Sequence, residues 1–218
     1  MKVLGIVCSP RKGGNTEILM VEALAGAQSC GAETELWTAA GKDLRPCDGC
    51  YSCIDRGGKC HIRDDMQELY SKILEADGLI FGSPTYFMSL TAQAKIVIDR
   101  MFCLFRQDML VNKVAGVLNV SGSSGPDGVA AEFHKFILLS HMFPADYTFG
   151  FAYDKGDVRK DNFAMRSSSE LGKQVVALVK QQLGHPREYI KPLYRICRDT
   201  YGLSDYALSR GEARQQQT

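Results

Sequence analysis

Three runs of this sequence are apolar almost without interruption: Val3 to Cys8, Gly78 to Gly82 and Val114 to Val120. A strand with one wet face alternates polar and apolar residues, so a near-continuous apolar run marks a strand buried on both faces. Such strands belong to parallel sheets, whose crossover helices cover both sides. Two further runs, Glu33 to Trp37 and Tyr147 through Phe149 to Phe151, alternate as edge strands do. Helical patterns lie between and after them. They place Ile18, Val21 and Ala25 on one face, then Met66, Leu69, Tyr70, Ile73 and Leu74, then Ala94, Val97, Ile98, Met101 and Phe105. Val129, Phe133, Phe136 and Ile137, and later Leu171, Val175, Leu178 and Val179, mark the last two. Five such units with short connections predict an α/β fold: a doubly wound five-stranded parallel sheet in the order 2-1-3-4-5, with the three apolar strands central. Asn15 or Thr16 is expected to cap the first helix, and Asp64 with Gln67 resembles a capping box.

A chain of 218 residues has room for one substantial core. Residues 1–183 account for it, and 184–218 form a C-terminal extension carrying Tyr189, Tyr194, Tyr201 and Tyr206. That extension reads either as a surface-packed tail or as an arm embracing a second subunit. The formal net charge of +1 favours neither nucleic acid nor an anionic membrane as partner. No apolar run approaches the roughly 20 residues of a membrane span. The apolar start is too short for a signal peptide, so a cytoplasmic location with reduced thiols is expected.

Four of the eight cysteines fall between Cys47 and Cys60, spaced Cys-x2-Cys-x2-Cys-x6-Cys as Cys47, Cys50, Cys53 and Cys60. Thiolates that close can converge on one centre, and thiolate selects zinc or iron–sulfur clusters. Structural zinc sites come as two separated Cys pairs, whereas successive x2 spacings occur in the bacterial ferredoxin run. Gly57 and Gly58 can bend the chain so that Cys60 closes the same site. Zinc, a redox disulfide and free thiols remain open from spacing alone. Cys8 and Cys103 read as small core residues, and His61 as a solvent-facing neighbour of Cys60.

Ligands of a doubly wound sheet sit outside the carboxyl ends of its strands. The first such loop, Ser9 to Thr16 (Ser-Pro-Arg-Lys-Gly-Gly-Asn-Thr), combines hydroxyls, glycines, cations and a following helix N-terminus, the parts of a phosphate cradle. It lacks the Gly-Lys-Ser/Thr of a triphosphate loop and the spaced glycines of a dinucleotide fingerprint, so a monophosphate fits better. Ser83 to Met88 adds a proline-fixed backbone with aromatics, and Ser121 to Gly125 adds hydroxyls and unhindered amides. A planar cofactor with a phosphate tail, such as FMN, would be gripped at both ends.

Taken with the four cysteines, the combination Ser9-Pro10-Arg11, Asn15-Thr16, Asp64-Asp65-Met66, Gly82 to Tyr86 and Lys95, Asp99-Arg100 resembles the iron–sulfur flavoprotein family. That family belongs to the NADPH-dependent FMN reductases, of flavodoxin-like fold, and the resemblance covers residues 2–183. It implies that Ser9, Arg11, Asn15 and Thr16 hold the FMN phosphate. Pro84, Thr85, Tyr86 and Phe87 would line the isoalloxazine, and Ser121, Gly122, Ser123 and Gly125 would supply the third loop. It implies one [4Fe–4S] cluster on Cys47, Cys50, Cys53 and Cys60, and a homodimer or homotetramer with the flavin near an interface. The expected function is electron transfer between FMN and the cluster, with NAD(P)H or a ferredoxin-type carrier as partner. The competing expectations are a cluster-free NAD(P)H-dependent quinone, nitro or flavin reductase, and a non-catalytic electron shuttle or redox sensor. Because the cysteine insert follows an edge strand, it is expected at the same end of the sheet as the three loops.

Overall fold

The near-continuous apolar runs become the three central strands, and the alternating runs become the edges. The computed structural model describes residues 1–190. Its strands β1 (Lys2–Val7), β2 (Glu33–Thr38), β3 (Gly78–Pro84), β4 (Val114–Ser121) and β5 (Phe143–Phe151) form one sheet in the order β2-β1-β3-β4-β5, every pair parallel. All eight residues of β4 are buried, whereas β2 buries only Trp37 and β5 only Ala145, Thr148 and Gly150, as edge strands do. β5 starts at Phe143, four residues before the Tyr147 start that alternation suggests. Pro144 masks that start, and an edge strand accommodates it. The pairing of β4 with β5 also carries a register irregularity between Ala115 and Val117.

Helices α1 (Asn15–Ser29) and α7 (Asn162–Lys180) cover one face. Helices α3 (Met66–Glu75), α4 (Ala92–Arg100) and α6 (Pro126–Leu139) cover the other, with short helices α2 (Ser52–Asp55) and α5 (Phe102–Phe105) beside them. Alternate strand residues feed two cores, Leu4, Ile6, Leu79 and Phe81 on the α3 side and Val3, Val7, Ile80 and Leu118 on the α1 side. Phe81 stacks on Phe133 at 5.2 Å and meets Phe136 edge-on at 6.0 Å, pairs worth about 0.5–1.5 kcal/mol each beyond burial.

The buried stripe of α1 is Leu19, Met20, Ala23, Leu24 and Ala27, not the expected Ile18, Val21 and Ala25; Val21 and Ala25 face solvent. Small residues decide this. α1 and α7 touch backbone to backbone, and a β-carbon on Gly26 would lie 2.1 Å from the Ser169 oxygen. One on Gly172 would lie 1.8 Å from the Ala23 oxygen. Leu74, expected inward on α3, is exposed.

Beyond α7 the chain turns at Gln182 in the left-handed region. His185 then stacks on Phe143 at 4.4 Å and donates its backbone N–H to Asn112. Tyr189 is exposed; Tyr194, Cys197, Tyr201, Tyr206 and the question of an arm lie outside the described residues. Among the described residues no helix is long and apolar enough to cross a membrane.

Glycine in a helix interior ordinarily gives way to alanine with a gain of about 1 kcal/mol. At Gly172 the sign reverses, because the added methyl must separate two backbones. Gly172→Ala should lower the unfolding free energy by about 1–3 kcal/mol, seen as a lower urea midpoint at unchanged slope.

Candidate functional sites

At the carboxyl edge, the loop after β1 folds around Ser9, whose buried hydroxyl accepts the Arg11 N–H at 3.2 Å. Gly13 takes a positive φ of 65° and donates its N–H to Glu17 at 2.7 Å. Gly14 opens α1 with no side-chain cap, so neither Asn15 nor Thr16 does the expected capping. Asn15 instead reaches across the edge. Its Nδ2 donates to the Asp154 carbonyl at 2.8 Å and its Oδ1 accepts the Gly156 N–H at 2.7 Å, bracing the loop after β5. Thr16 is buried behind it.

The ends of β1, β3 and β4 are tied by a buried polar network. Thr91 caps α4 and donates to the Cys8 carbonyl at 2.7 Å. Its own N–H reaches Ser83 Oγ at 3.3 Å. Asn119, the polar member of the β4 run, donates to the Ser83 carbonyl at 2.9 Å and to Thr85 Oγ1 at 3.0 Å. Sequence pattern hid both roles, because Thr91 and Asn119 act through the third dimension.

Ser9, Arg11, Asn15, Thr16, Pro84, Thr85, Tyr86 and Gly122 line one cavity of about 150 Å³, together with Val120, Ala152 and Tyr153. Tyr153 covers Gly122 so closely that a β-carbon there would sit 3.0 Å from its ring. Lys155 bonds the Lys12 carbonyl at 3.2 Å and brings a second cation beside Arg11's loop. Neither residue was predicted. The position of β5 in the sheet, whose carboxyl end joins the same edge, was the available signal.

Four predicted residues lie outside this cavity. Ser121 is buried with its hydroxyl on the Ser124 carbonyl, while Ser123 is exposed and Gly125 (φ 79°) opens α6. Phe87 points fully into solvent rather than lining the pocket. It and Met88 form a tight turn between Tyr86 and Ser89 with φ of 49° and 67°. Asn-Gly normally supplies such a turn. Gly128 makes room for it here, since a β-carbon there would lie 2.3 Å from the Met88 oxygen.

The cysteine insert forms a second site. Gly49, Tyr51, Gly57 and Gly58 all take positive φ, which winds the loop, and the bend expected at Gly57-Gly58 is present. Cys47, Cys50, Cys53 and Cys60 line a single cavity of about 450 Å³, walled by Ile98, Phe102, Phe105, Phe136 and Leu139. Burial pushes the Cys53 thiol up, and Cys60, Cys50 and Cys47 push the same way, so all four lie within electrostatic reach. His61 turns toward the insert and contacts Asp48 through Nε2 at 2.7 Å. Bonds from the Cys50 thiol and amide, and then His61, hold the Asp48 carboxyl down at about 2. Cys8 and Cys103 are buried core residues, as expected, and burial pushes the Cys8 thiol up to about 12 and Cys103 to about 11.

Arg100 fixes this loop at both stems. Its guanidinium meets Asp64 bidentately at 2.7 and 3.0 Å, both side chains wholly out of solvent. It also donates to the carbonyls of Arg45, before the cysteines, and Ile62, after them, at 2.7 and 3.5 Å. Asp64 therefore serves the clamp; Gln67, expected to complete a capping box, bonds the Ile62 carbonyl instead. Burial works against the Asp64 charge, but Arg100 and the N–H groups of Arg45 and Met66 outweigh it, so the carboxyl titrates below the ordinary range.

The two cavities share no residue. The insert leaves the carboxyl end of β2 but folds down over the α4–α6 face, reaching Ser140 at the end of α6. Helices run opposite to the strands in such a sheet, so this is toward its amino edge. The expectation that insert and loops gather at one end is thus corrected.

Comparison with known proteins agrees with this architecture. The family model for NADPH-dependent FMN reductases matches residues 1–155. An iron–sulfur flavoprotein of Methanocaldococcus jannaschii is 40% identical over 190 residues, covering 83% of this chain and 98% of the relative. Among solved structures, RosB with bound 8-demethyl-8-formylriboflavin-5′-phosphate superimposes with a TM-score of 0.70 at 21% identity, covering 94% and 88% of the two chains. A flavodoxin from the domain Archaea gives 0.55 at 12% identity, covering 83% and 99%. These two likenesses place the fold among the flavodoxin-like sheets.

A carboxyl whose native pKa is depressed stabilises the fold above its unfolded value, about 3.9 for Asp, and loses that contribution as pH falls through its lower native value. Asp64→Asn should remove this acid-dependent part. It should also cost about 3–5 kcal/mol at neutral pH by leaving the buried guanidinium without its counter-charge, as urea unfolding at neutral and at acid pH will read.

Proposed function

The chain belongs to the iron–sulfur flavoproteins of the NADPH-dependent FMN reductase family, and from that premise we propose a flavin-dependent oxidoreductase with two redox sites. The observation that carries the second site is the convergence of four cysteines on one cavity whose loop is clamped at both stems. Four thiols with an apolar wall suit a [4Fe–4S] centre better than the paired arrangement of structural zinc. The carboxyl-edge cavity suits FMN: hydroxyls, an uncapped helix start and two cations on one side, aromatic rings on the other. Bound there, FMN supplies one- and two-electron chemistry and the cluster one-electron chemistry.

Ser9, Thr16 and the first amides of α1 would hold the phosphate, with Arg11 and Lys155 balancing its charge. Pro84, Thr85, Tyr86 and Tyr153 would bracket the ring and keep water from it. Asn15 acts as a brace. The donor and acceptor in this reading are NAD(P)H and a ferredoxin-type carrier, in the reducing cytoplasm. Two or four copies of the chain would cover the exposed Phe87, Met88, Phe151 and Phe163.

Anaerobically reconstituted protein should hold FMN together with iron and acid-labile sulfide in equal amounts; absence of all three sinks the reading. Cys53→Ser should lose the iron and keep the FMN, because no residue lines both cavities. Arg11→Ala should weaken FMN binding about tenfold, the lower range for a charge-assisted hydrogen bond, by flavin fluorescence titration.

A further inference from the structure

Arg100 carries five N–H donors in a fixed fork. Four bonds from its terminal nitrogens go to Asp64 twice and to the carbonyls of Arg45 and Ile62. The fifth donor, Nε–H, is buried and has no partner among the described residues. Ser140 Oγ is a second such orphan, and both residues line the cysteine cavity. Buried polar groups are nearly all paired in native proteins, so two orphans on residues that line one cavity point to an occupant that accepts hydrogen bonds.

Resting on the functional reading above, we propose that the Arg100 Nε–H donates to the Cys60 sulfur when the cysteine site is loaded, making Arg100 the positioning residue of that site. Cys60 is chosen because Arg100 Nη2, on the same edge of the planar guanidinium as Nε–H, bonds the Ile62 carbonyl two residues from Cys60, and Arg100 and Cys60 both line the one cavity. The remaining four donors leave Arg100 no freedom to turn away, so the donor is aimed before the site is filled. A hydrogen bond to a ligand sulfur stabilises the reduced, more negative centre and raises its potential. Asp64 neutralises the guanidinium, so the effect comes from the directed N–H and not from net charge.

The wild-type protein, grown on arginine labelled with nitrogen-15 in the guanidino group, should be reconstituted anaerobically, reduced, and studied by electron spin echo envelope modulation. One arginine nitrogen coupled to the reduced centre is expected, and Arg100→Lys should abolish it. That variant keeps a cation for Asp64 but has no Nε–H. Its potential should fall by about 59 mV, a tenfold loss of preference for the reduced state. Protein with full iron and sulfide but no nitrogen-15 coupling overturns the assignment while leaving the functional reading intact, as does an unchanged potential in a loaded Arg100→Lys. Protein that takes up neither iron nor sulfide overturns the functional reading, and the assignment falls with it.

Discussion

The Arg100–Asp64 pair is the contact on which the second site depends. Removing two charges from water is costly, and the attraction between them offsets that cost only when geometry is good and remaining donors and acceptors are used. Here the bidentate contact is supplemented by N–H groups of Arg45 and Met66 on the carboxylate and by two carbonyls on the guanidinium. The pair therefore joins three chain segments, 45, 62–64 and the end of α4, that pattern alone does not connect. Tyr70 adds its hydroxyl to the Arg100 carbonyl at 3.2 Å, anchoring the same corner to α3. A fourteen-residue loop with four glycine-like turns holds its shape because its two stems cannot part.

Much of the fold was legible because solvent exclusion leaves its mark directly on composition along a strand. β1, β3 and β4 announced themselves by near-continuous apolar runs, and the edges by alternating. What stayed hidden was set by contacts distant in sequence. The inward face of α1 carries Leu19, Met20 and Leu24 and is set by the glycine contacts with α7, which leave Val21 outside. Asp64 and Gln67 carry the letters of a capping box, yet a guanidinium 36 residues away takes the carboxylate.

The flavin-side loops were legible as loops, since hydroxyls, glycines and cations after a buried strand have few other uses. Individual roles were less so. Asn15 has the right chemistry for phosphate but is claimed at both ends by the β5 loop, and Phe87 is carried away from the pocket by backbone, not by side-chain preference. Tyr153 carries no motif of its own, and only the place of β5 in the sheet brings it to the carboxyl edge. The four cysteines were legible as a cluster of thiols and in their convergence. Their place was not, since an insert's direction depends on which helix it packs against.

The Asn15 brace has a consequence for how the carboxyl-edge cavity behaves as a receptor. With the loops after β1 and β5 already tied to each other, little of either wall remains to be ordered when a ligand arrives, and the entropy normally lost in shaping a pocket has been spent during folding. Such a receptor selects for a rigid guest of fixed dimensions and discriminates by fit. Its affinity would then be expressed mainly in slow departure, since arrival requires no rearrangement.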